Sequence, residues 1–334
     1  MIINNCFFFK KLKNVVILGE FNKDIKKIND DLNLKTNLIT SPAFNIKNKS
    51  IETKVFRKLD KKFVYYIKNN FSINETLFIS FGPRWIFKKD IINKVFKKNI
   101  INFHCTRLPL DAGGAGISWR IMRNDRLGNC LVHMVDSGVD TGPILKNYEF
   151  IFSKNCKIPK DFENENNIML LNFYKNFIKD LKSQKKFNIH NQNQYLRRYN
   201  PRLNTKINGW INWFDSSNEI YNFINAFDDP FPGASTFIGK KKVRLKDVHL
   251  HGGEVKGHSF SSGLITRKSK NWIVVATTDS NHLIIERVLD FKNQNILGNL
   301  NEGDRFYTPI NQLVAARSER VFYKSTSKKS FIKR

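Results

Sequence analysis

Short runs of apolar residues, each cut off by glycine, proline or polar positions, pattern the first hundred residues. Val15-Val16-Ile17-Leu18 ends at Gly19, Leu38-Ile39-Thr40 stops at Ser41-Pro42, and Leu77-Phe78-Ile79-Ser80-Phe81 breaks at Gly82-Pro83-Arg84. A further run covers 99–103. Each has the length and branched character of a buried strand. The stretch 22–70 is otherwise polar and lysine-rich with weak periodicity, as helices covering a small sheet would be. Ile86, Phe87, Ile91, Ile92, Val95 and Phe96 recur on one helical face. Alternation of strand, turn and helix predicts an α/β domain with a mostly parallel sheet. Helix signals follow at 117–122 and in the stripe Ile168, Leu170, Leu171, Tyr174, Phe177 and Ile178. Residues 130–135 and 144–152 read as extended. Ile220, Phe223, Ile224 and Phe227 mark an amphipathic helix that Ser216 or Ser217 caps and Asp228-Asp229-Pro230 ends. Beyond it, short runs at 235–238, 242–245, 262–266, 272–276 and 283–288 predict a small, mainly β domain.

The expected organisation is a first domain over 1–190, a linker over 191–208, a β-rich domain over 209–323 and a fraying basic tail over 324–334. A length of 334 residues accommodates both domains. At 41% hydrophobic residues the chain buries a substantial core, which excludes global disorder. The formal net charge of +28 excludes an acidic solvating protein and raises the question of a polyanionic partner. The cations are spread along the whole chain, however, and accompany a general excess of Lys, Asn, Ile and Phe. A compositional bias of AT-rich coding accounts for that. Four cysteines, Cys6, Cys105, Cys130 and Cys156, form no close metal-binding pair and no disulfide framework. They point to a reducing compartment and a cytoplasmic location. No apolar run is long enough to span a bilayer, and the start lacks the order of a signal peptide. Gly19 leads into Glu20-Phe21-Asn22 without a Gly-x-Gly-x-x-Gly fingerprint, so dinucleotide binding has no support.

Polar chemistry concentrates between positions 102 and 143. Asn102 and His104 are two residues apart at a strand end and share one face if both are extended. Ligands of open α/β sheets bind at the carboxyl ends of strands. An amide and an imidazole there can aim donors at one oxygen, and a carboxylate can orient the imidazole, which suits attack on a carbonyl. Asp136 and Asp140 lie in a loop punctuated by Gly138 and Gly142. Taken singly, His104 also reads as a structural histidine and Asp140 as a turn residue. His104, His133, Asp136 and Asp140 are near enough in sequence to suggest a metal, although His133 more simply takes a place within the strand. Ser80 and Cys105 lack the signature of an activated nucleophile, so direct transfer is preferred to a covalent route.

Asn102-Phe103-His104, Leu108-Pro109, Gly113-Gly114 and Val135-Asp136 through Asp140-Thr141-Gly142 together resemble the formyltransferase family that uses 10-formyltetrahydrofolate. Asn102 and Asp140 are 38 positions apart, which also matches. Tyr199-Asn200-Pro201-Arg202, Gly209-x-Ile211-Asn212-Trp213 and Ala226-Phe227 to Pro230-x-Pro232-Gly233-Ala234 are similar to the segment that follows the catalytic domain. That segment occurs in methionyl-tRNA formyltransferases and, more closely in wording, in sugar-nucleotide N-formyltransferases. The likeness covers about 75–245.

The resemblance implies a Rossmann-like catalytic domain followed by an OB-like one. It implies that His104 polarises the formyl oxygen, that Asn102 donates a second hydrogen bond, and that Asp140 orients His104 and helps remove the amine proton, with no metal. It implies that 10-formyltetrahydrofolate, the donor cosubstrate, lies against Phe81, Gly82, Pro83, Arg84, Trp85, Val135, Asp136 and Asp140. Arg107, Gly113, Gly114, Arg197 and Arg202 are the candidates for the acceptor, expected to be an amino sugar on a nucleotide.

The chain departs from the tRNA enzymes at its amino end. Gly19-Glu20-Phe21-Asn22 stands where they carry Gly-Thr-Pro-x-Phe-Ala, which disfavours a tRNA acceptor. That alternative would use Lys240, Lys241, Lys242, Arg244 and Lys246 as a phosphate-tracking face. A basic binding module without catalysis is the alternative of another class. No membrane partner is expected, and a homodimer is compatible with the sequence.

Overall fold

The computed structural model describes residues 2–3, 5–44, 51–255, 257–323 and 330–333. Its first half is built on a seven-stranded sheet. In chain order the elements are β1 (Asn14–Gly19), α1 (Lys23–Asp31), β2 (Lys35–Thr40), β3 (Glu52–Val55), α2 (Lys61–Asn70), β4 (Thr76–Phe81), β5 (Ile100–His104), α3 (Gly116–Met122), β6 (Leu127–Met134), β7 (Ile144–Ile151) and α4 (Pro159–Lys182). The strand order is β7-β6-β5-β4-β1-β2-β3. Strands β1 to β5 pair in parallel, whereas β6 runs antiparallel to both β5 and β7.

After β1 the chain winds outward through β2 and β3, then returns to the other side of β1 with β4 and β5. The sheet therefore has its topological switch between β1 and β4, where a crevice opens beyond the strand ends. Gly19 and Gly82 sit at that switch. Gly19 has φ of 129°, and a Cβ there would lie 2.1 Å from the Phe81 carbonyl oxygen. Only glycine lets the two strand ends approach so closely.

Strand β5 is held from behind by α4. Phe103 points away from the crevice between its neighbours Asn102 and His104, and its ring lies 5.0 Å from Tyr174 and 5.6 Å from Phe177. Each such buried ring stabilises the fold by about 1.5–3 kcal/mol. The expected helix over 86–96 is shortened to 89–95 and widens into a π turn at Ile91–Val95. Its apolar side chains Phe87, Ile92, Val95 and Phe96 are nevertheless buried in a second core against α2. Packing, not regular helix geometry, accounts for the periodicity there.

A six-stranded antiparallel sheet follows α5 (Ser217–Ala226) and curls into an OB-like extension. Its strands are β8 (Ala234–Ile238), β9 (Lys241–His251), β10 (Ile265–Lys268), β11 (Ile273–Val275), β12 (His282–Leu289) and β13 (Phe306–Tyr307), in the order β10-β11-β12-β9-β8-β13. The strand expected at 262–266 begins later, at Ile265. Ser216 caps α5 in a reciprocal box with Glu219. One apolar cluster runs through both sheets, from Ile17 and Phe103 to Phe227, Val243 and Phe306. The segment 191–208 is docked on the first unit: Tyr199–Asn200 pairs in parallel with Ala112–Gly113. After α6 (Ile310–Ser318), β14 (Arg320–Tyr323) pairs with β15 (Ser330–Lys333). Of the expected basic tail, residues 324–329 and 334 lie outside the described residues, while 330–333 form this strand.

Candidate active site

Asn102 and His104 occupy the end of β5, and their side chains share the face turned to the crevice, as the strand period requires. Across the antiparallel pair, His133 of β6 stands directly opposite Asn102. The His133 Nδ1 lies 2.9 Å from the Met134 carbonyl oxygen. A carbonyl only accepts, so Nδ1 carries the proton and Nε2 is left as an acceptor. The Asn102 amide nitrogen donates to that Nε2 at 3.1 Å. Burial, then the nearby His104, lowers the pKa of His133 to about 4, against a smaller upward pull from the Met134 carbonyl. His133 is therefore neutral at pH 7. It fixes which end of the Asn102 amide is the donor and leaves the second amide hydrogen for a ligand.

His104 Nε2 lies 3.7 Å from Asp140 Oδ2. That is an ion-pair distance longer than a hydrogen bond, of the kind that tightens when a ligand arrives. The nitrogen is buried and has no hydrogen-bond partner among the described residues. Asp140 takes a left-handed conformation, with φ of 56°. The surrounding loop holds it there. Asp136 Oδ1 accepts from the Gly138 amide at 3.1 Å and the Thr141 hydroxyl at 2.6 Å. Gln192 donates to the carbonyls of Asp140 at 3.1 Å and Gly142 at 2.6 Å. Gly142 packs on β6 so closely that a Cβ would lie 1.7 Å from the Met134 carbonyl oxygen.

These groups converge on a cavity of about 560 Å³, within the range of small-molecule sites. Asn102, His104 and Asp140 all line it, together with Gly82, Pro83, Arg84, Trp85, Val135 and Asp136. Gly113, Gly114 and Arg202 line it from another side. Three expected residues do not. Phe81 lies behind the switch, where its carbonyl accepts from the Glu20 amide. Arg107 is committed to Asp111, at 3.0 Å, and to Asp125, so its charge is already neutralised away from the cavity. Arg197 donates to the Val139 carbonyl at 2.9 Å, which makes it a brace of the Asp140 loop.

Sequence reasoning missed Glu20, Ser80, His133 as a partner of Asn102, Arg320 and Phe322 in the lining, whereas Tyr199, a ring that the sequence offers for stacking on a base or sugar or for core packing, also lines it. Ser80 carried a signal, as a polar position one residue before the end of the apolar run 77–81, and it pairs in parallel with Asn102. Arg320 and Phe322 carried none, being far away in the chain. Trp85, expected against the folate, is buried yet lines the cavity, and its Nε1 has no acceptor among the described residues. Arg84 stacks over the Phe44 ring at 5.5 Å. Among the described residues no group of three or more His, Cys, Asp or Glu is arranged to hold a metal ion. Two donors facing one point beside a carboxylate are suited to carbonyl chemistry, in which charge develops on oxygen while a proton leaves the attacking group.

Residues 204–298 match the family described as formyl transferase, C-terminal domain. Over 232 residues the chain is 24% identical to the methionyl-tRNA formyltransferase of Prochlorococcus marinus subsp. pastoris, a match covering 66% of this chain and 69% of that protein. It is 26% identical over 211 residues to the bifunctional polymyxin resistance protein ArnA of Wigglesworthia glossinidia brevipalpis, covering 60% of this chain and 30% of that protein. Among solved structures, the fold is similar to WlaRD, a sugar 3N-formyl transferase, with a TM-score of 0.62 at 18% identity, covering 82% of this chain and 97% of that one. It is also similar to an N-formyltransferase from Helicobacter canadensis solved with folinic acid and dTDP-3-aminofucose, with a TM-score of 0.61 at 19% identity, covering 82% and 99% of the two chains.

Proposed function

We propose that this chain, which belongs to the formyltransferase family, transfers the formyl group of 10-formyltetrahydrofolate to the primary amine of an amino sugar carried on a nucleotide. The observation that carries this reading is the convergence of Asn102, His104 and Asp140 on one cavity. The cavity lining also holds two buried nitrogens, His104 Nε2 and Trp85 Nε1, that have no hydrogen-bond partner among the described residues, His104 Nε2 facing Asp140 only at 3.7 Å. The similar sugar formyltransferases, solved with nucleotide and folate ligands, support the acceptor and donor classes.

The folate supplies an activated formyl carbonyl when bound. Asn102, oriented by neutral His133, directs its remaining amide hydrogen at the carbonyl oxygen, and the His104 imidazole contributes a second donor. Asp140 holds the imidazole in place and receives the proton that leaves the amine as its nitrogen bonds to the formyl carbon; as the bond from that carbon to the folate nitrogen breaks, Asp140 returns the proton to that nitrogen, so that the formamide and tetrahydrofolate are the products. The residues act by positioning and by stabilising charge on oxygen. We assign folate contacts to Gly82, Pro83, Arg84, Trp85, Val135 and Asp136, and acceptor contacts to Gly113, Gly114 and Arg202. Catalysis is assigned to 1–190 and the β-rich domain to 209–323, with 191–208 joining them. A cytoplasmic setting accords with four free cysteines, and no helix among the described residues is long and apolar enough to cross a membrane.

The test offers the purified chain 10-formyltetrahydrofolate with either a dTDP- or UDP-linked amino sugar or methionyl-tRNA. Formylated sugar nucleotide is the expected product. Formylated methionyl-tRNA with no formylated sugar would replace this reading by the tRNA one, and no product with any acceptor would favour a binding module. His104→Ala is expected to lower kcat by about 10²–10⁴-fold with folate binding retained.

A further inference from the structure

One side of the cavity belongs neither to the catalytic strand ends nor to the segments assigned to the folate. Tyr199, Pro201 and Arg202 form it with Gly113 and Gly114, and Arg320 to Phe322 of β14 complete it. The last three lie beyond the residues 204–298 that match the family. Two arginines and two aromatic rings stand on this side, and no carboxylate from these segments lines it. The Arg320 guanidinium carbon is 6.0 Å from the Tyr199 ring centre and 5.7 Å from the Phe322 ring centre. Arg320 is exposed, and among the described residues it makes no ion pair. Arg202 is seated by the glycine loop. A Cβ on Gly114 would lie 2.2 Å from the Arg202 Cγ, so the arginine stem rests on bare backbone. The Gly113 approach to the Asn200 carbonyl, with φ of 110°, fixes the strand pair beneath it.

We infer that β14 supplies a nucleotide clamp, in which Arg320 and Arg202 bind the acceptor's diphosphate and the rings of Tyr199 and Phe322 receive its base. This inference rests on the amino-sugar-nucleotide reading and extends it to a C-terminal segment. Forked guanidinium groups match phosphate oxygens, and aromatic faces take both a base and an adjacent cation. The other anion available to this site is the glutamate tail of the folate, whose carboxylates share that chemistry.

Calorimetric titration of the full chain with dTDP and UDP, and separately with 5-formyltetrahydrofolate, distinguishes them. Arg320→Ala is expected to weaken diphosphate binding about tenfold or more, with folate binding unchanged. Arg320→Lys should recover part of the loss, because it keeps charge but not the fork. Diphosphate affinity equal to wild type in Arg320→Ala overturns the clamp and leaves the acceptor reading standing. Weakened folate binding with intact diphosphate binding reassigns the wall to the folate tail. If the wild-type chain binds the folate but neither diphosphate, the acceptor reading itself falls, and the clamp with it. Should Arg320→Ala lose both ligands and melt at lower temperature, the comparison rests on Arg320→Lys. Wild-type diphosphate affinity in a stably folded Arg320→Lys, where the fork is absent, would then count against the clamp.

Discussion

Asn102 depends on a residue that does no chemistry. An asparagine amide can present either its oxygen or its nitrogen to a site, and only the nitrogen end donates to a developing oxyanion. His133 settles the choice, because its protonated Nδ1 donates to the Met134 carbonyl and leaves Nε2 to accept from Asn102. This holds only while His133 is neutral, and its pKa, lowered to about 4 by burial first and by His104 second, keeps it so. The sign of the pH effect follows. The unfolded histidine titrates near 6.5, so between about pH 6.5 and 4 the unfolded chain binds a proton that the folded chain does not. This contribution to stability is fully present above the unfolded value and is lost as pH falls towards the folded one, at up to about 1.4 kcal/mol per pH unit. Urea unfolding at a series of pH values should show that slope in the wild type and a shallower one in His133→Asn, whose amide does not titrate. Asn102→Ala removes the donor itself and should cost about 10²–10³-fold in kcat, measured by formyl transfer at saturating folate. A kcat within twofold of wild type would remove Asn102 from the proposed mechanism.

The loop between β6 and β7 turns one strand-end pair into a three-residue constellation. It carries Asp140 back to His104, and it is held by Gln192 and Arg197 from a segment fifty or more positions away. Gln192→Ala should leave the melting temperature nearly unchanged, lower kcat, and spare folate affinity, since it frees two carbonyls that position the aspartate. An equal fall in stability and activity would instead make Gln192 a general structural residue. Gly142→Ala is a stronger perturbation: its Cβ meets the Met134 carbonyl, and a cost of about 1–3 kcal/mol in thermal or urea unfolding is expected.

The same loop marks what a sequence reveals. Asn102 and His104 were legible as a pair because a strand places i and i+2 on one face, whereas Asp140, by its glycine neighbours a turn residue, was singled out through the family resemblance. Strands β1, β4 and β5 and helix α5 were legible from short branched runs and a helical stripe. Gln192, the His133–Asn102 pair and the Arg320 wall were not, since each depends on a register or docking between distant segments that local pattern does not encode. Arg107 stands outside the cavity for the same reason. Its acidic partners Asp111 and Asp125 are close in sequence, but only the fold turns all three away from the cavity.

At the scale of the whole molecule the question is what a net charge of +28 does. A nucleic-acid acceptor would need cations gathered on one continuous face. The basic hairpin of β8 and β9 does not provide it. Lys246 is buried on Asp228, at 3.1 Å, and on Asp229. Arg244 donates to the Asp290 carbonyl and to Asn293. Lys242 lies 4.0 Å over the Trp210 ring, where burial lowers its pKa. Lys240 and Lys241 are left exposed at the turn. The hairpin cations are thus largely consumed in joining β9 to its neighbours, and the proposed clamp on a diphosphate needs only Arg202 and Arg320 of the cavity wall. These two arrangements differ in their response to salt. A protein contacting six to ten phosphates of a polymer loses about 10³–10⁵-fold in affinity between 50 and 200 mM salt. A clamp on one diphosphate neutralises far fewer charges and should change by about tenfold or less over the same range. Measuring kcat/KM for the sugar nucleotide at the two salt concentrations, with folate saturating, should therefore give a shallow dependence. A fall of a thousandfold would mean that the surface charge steers or holds the acceptor, and that the diffuse cations belong to the function after all.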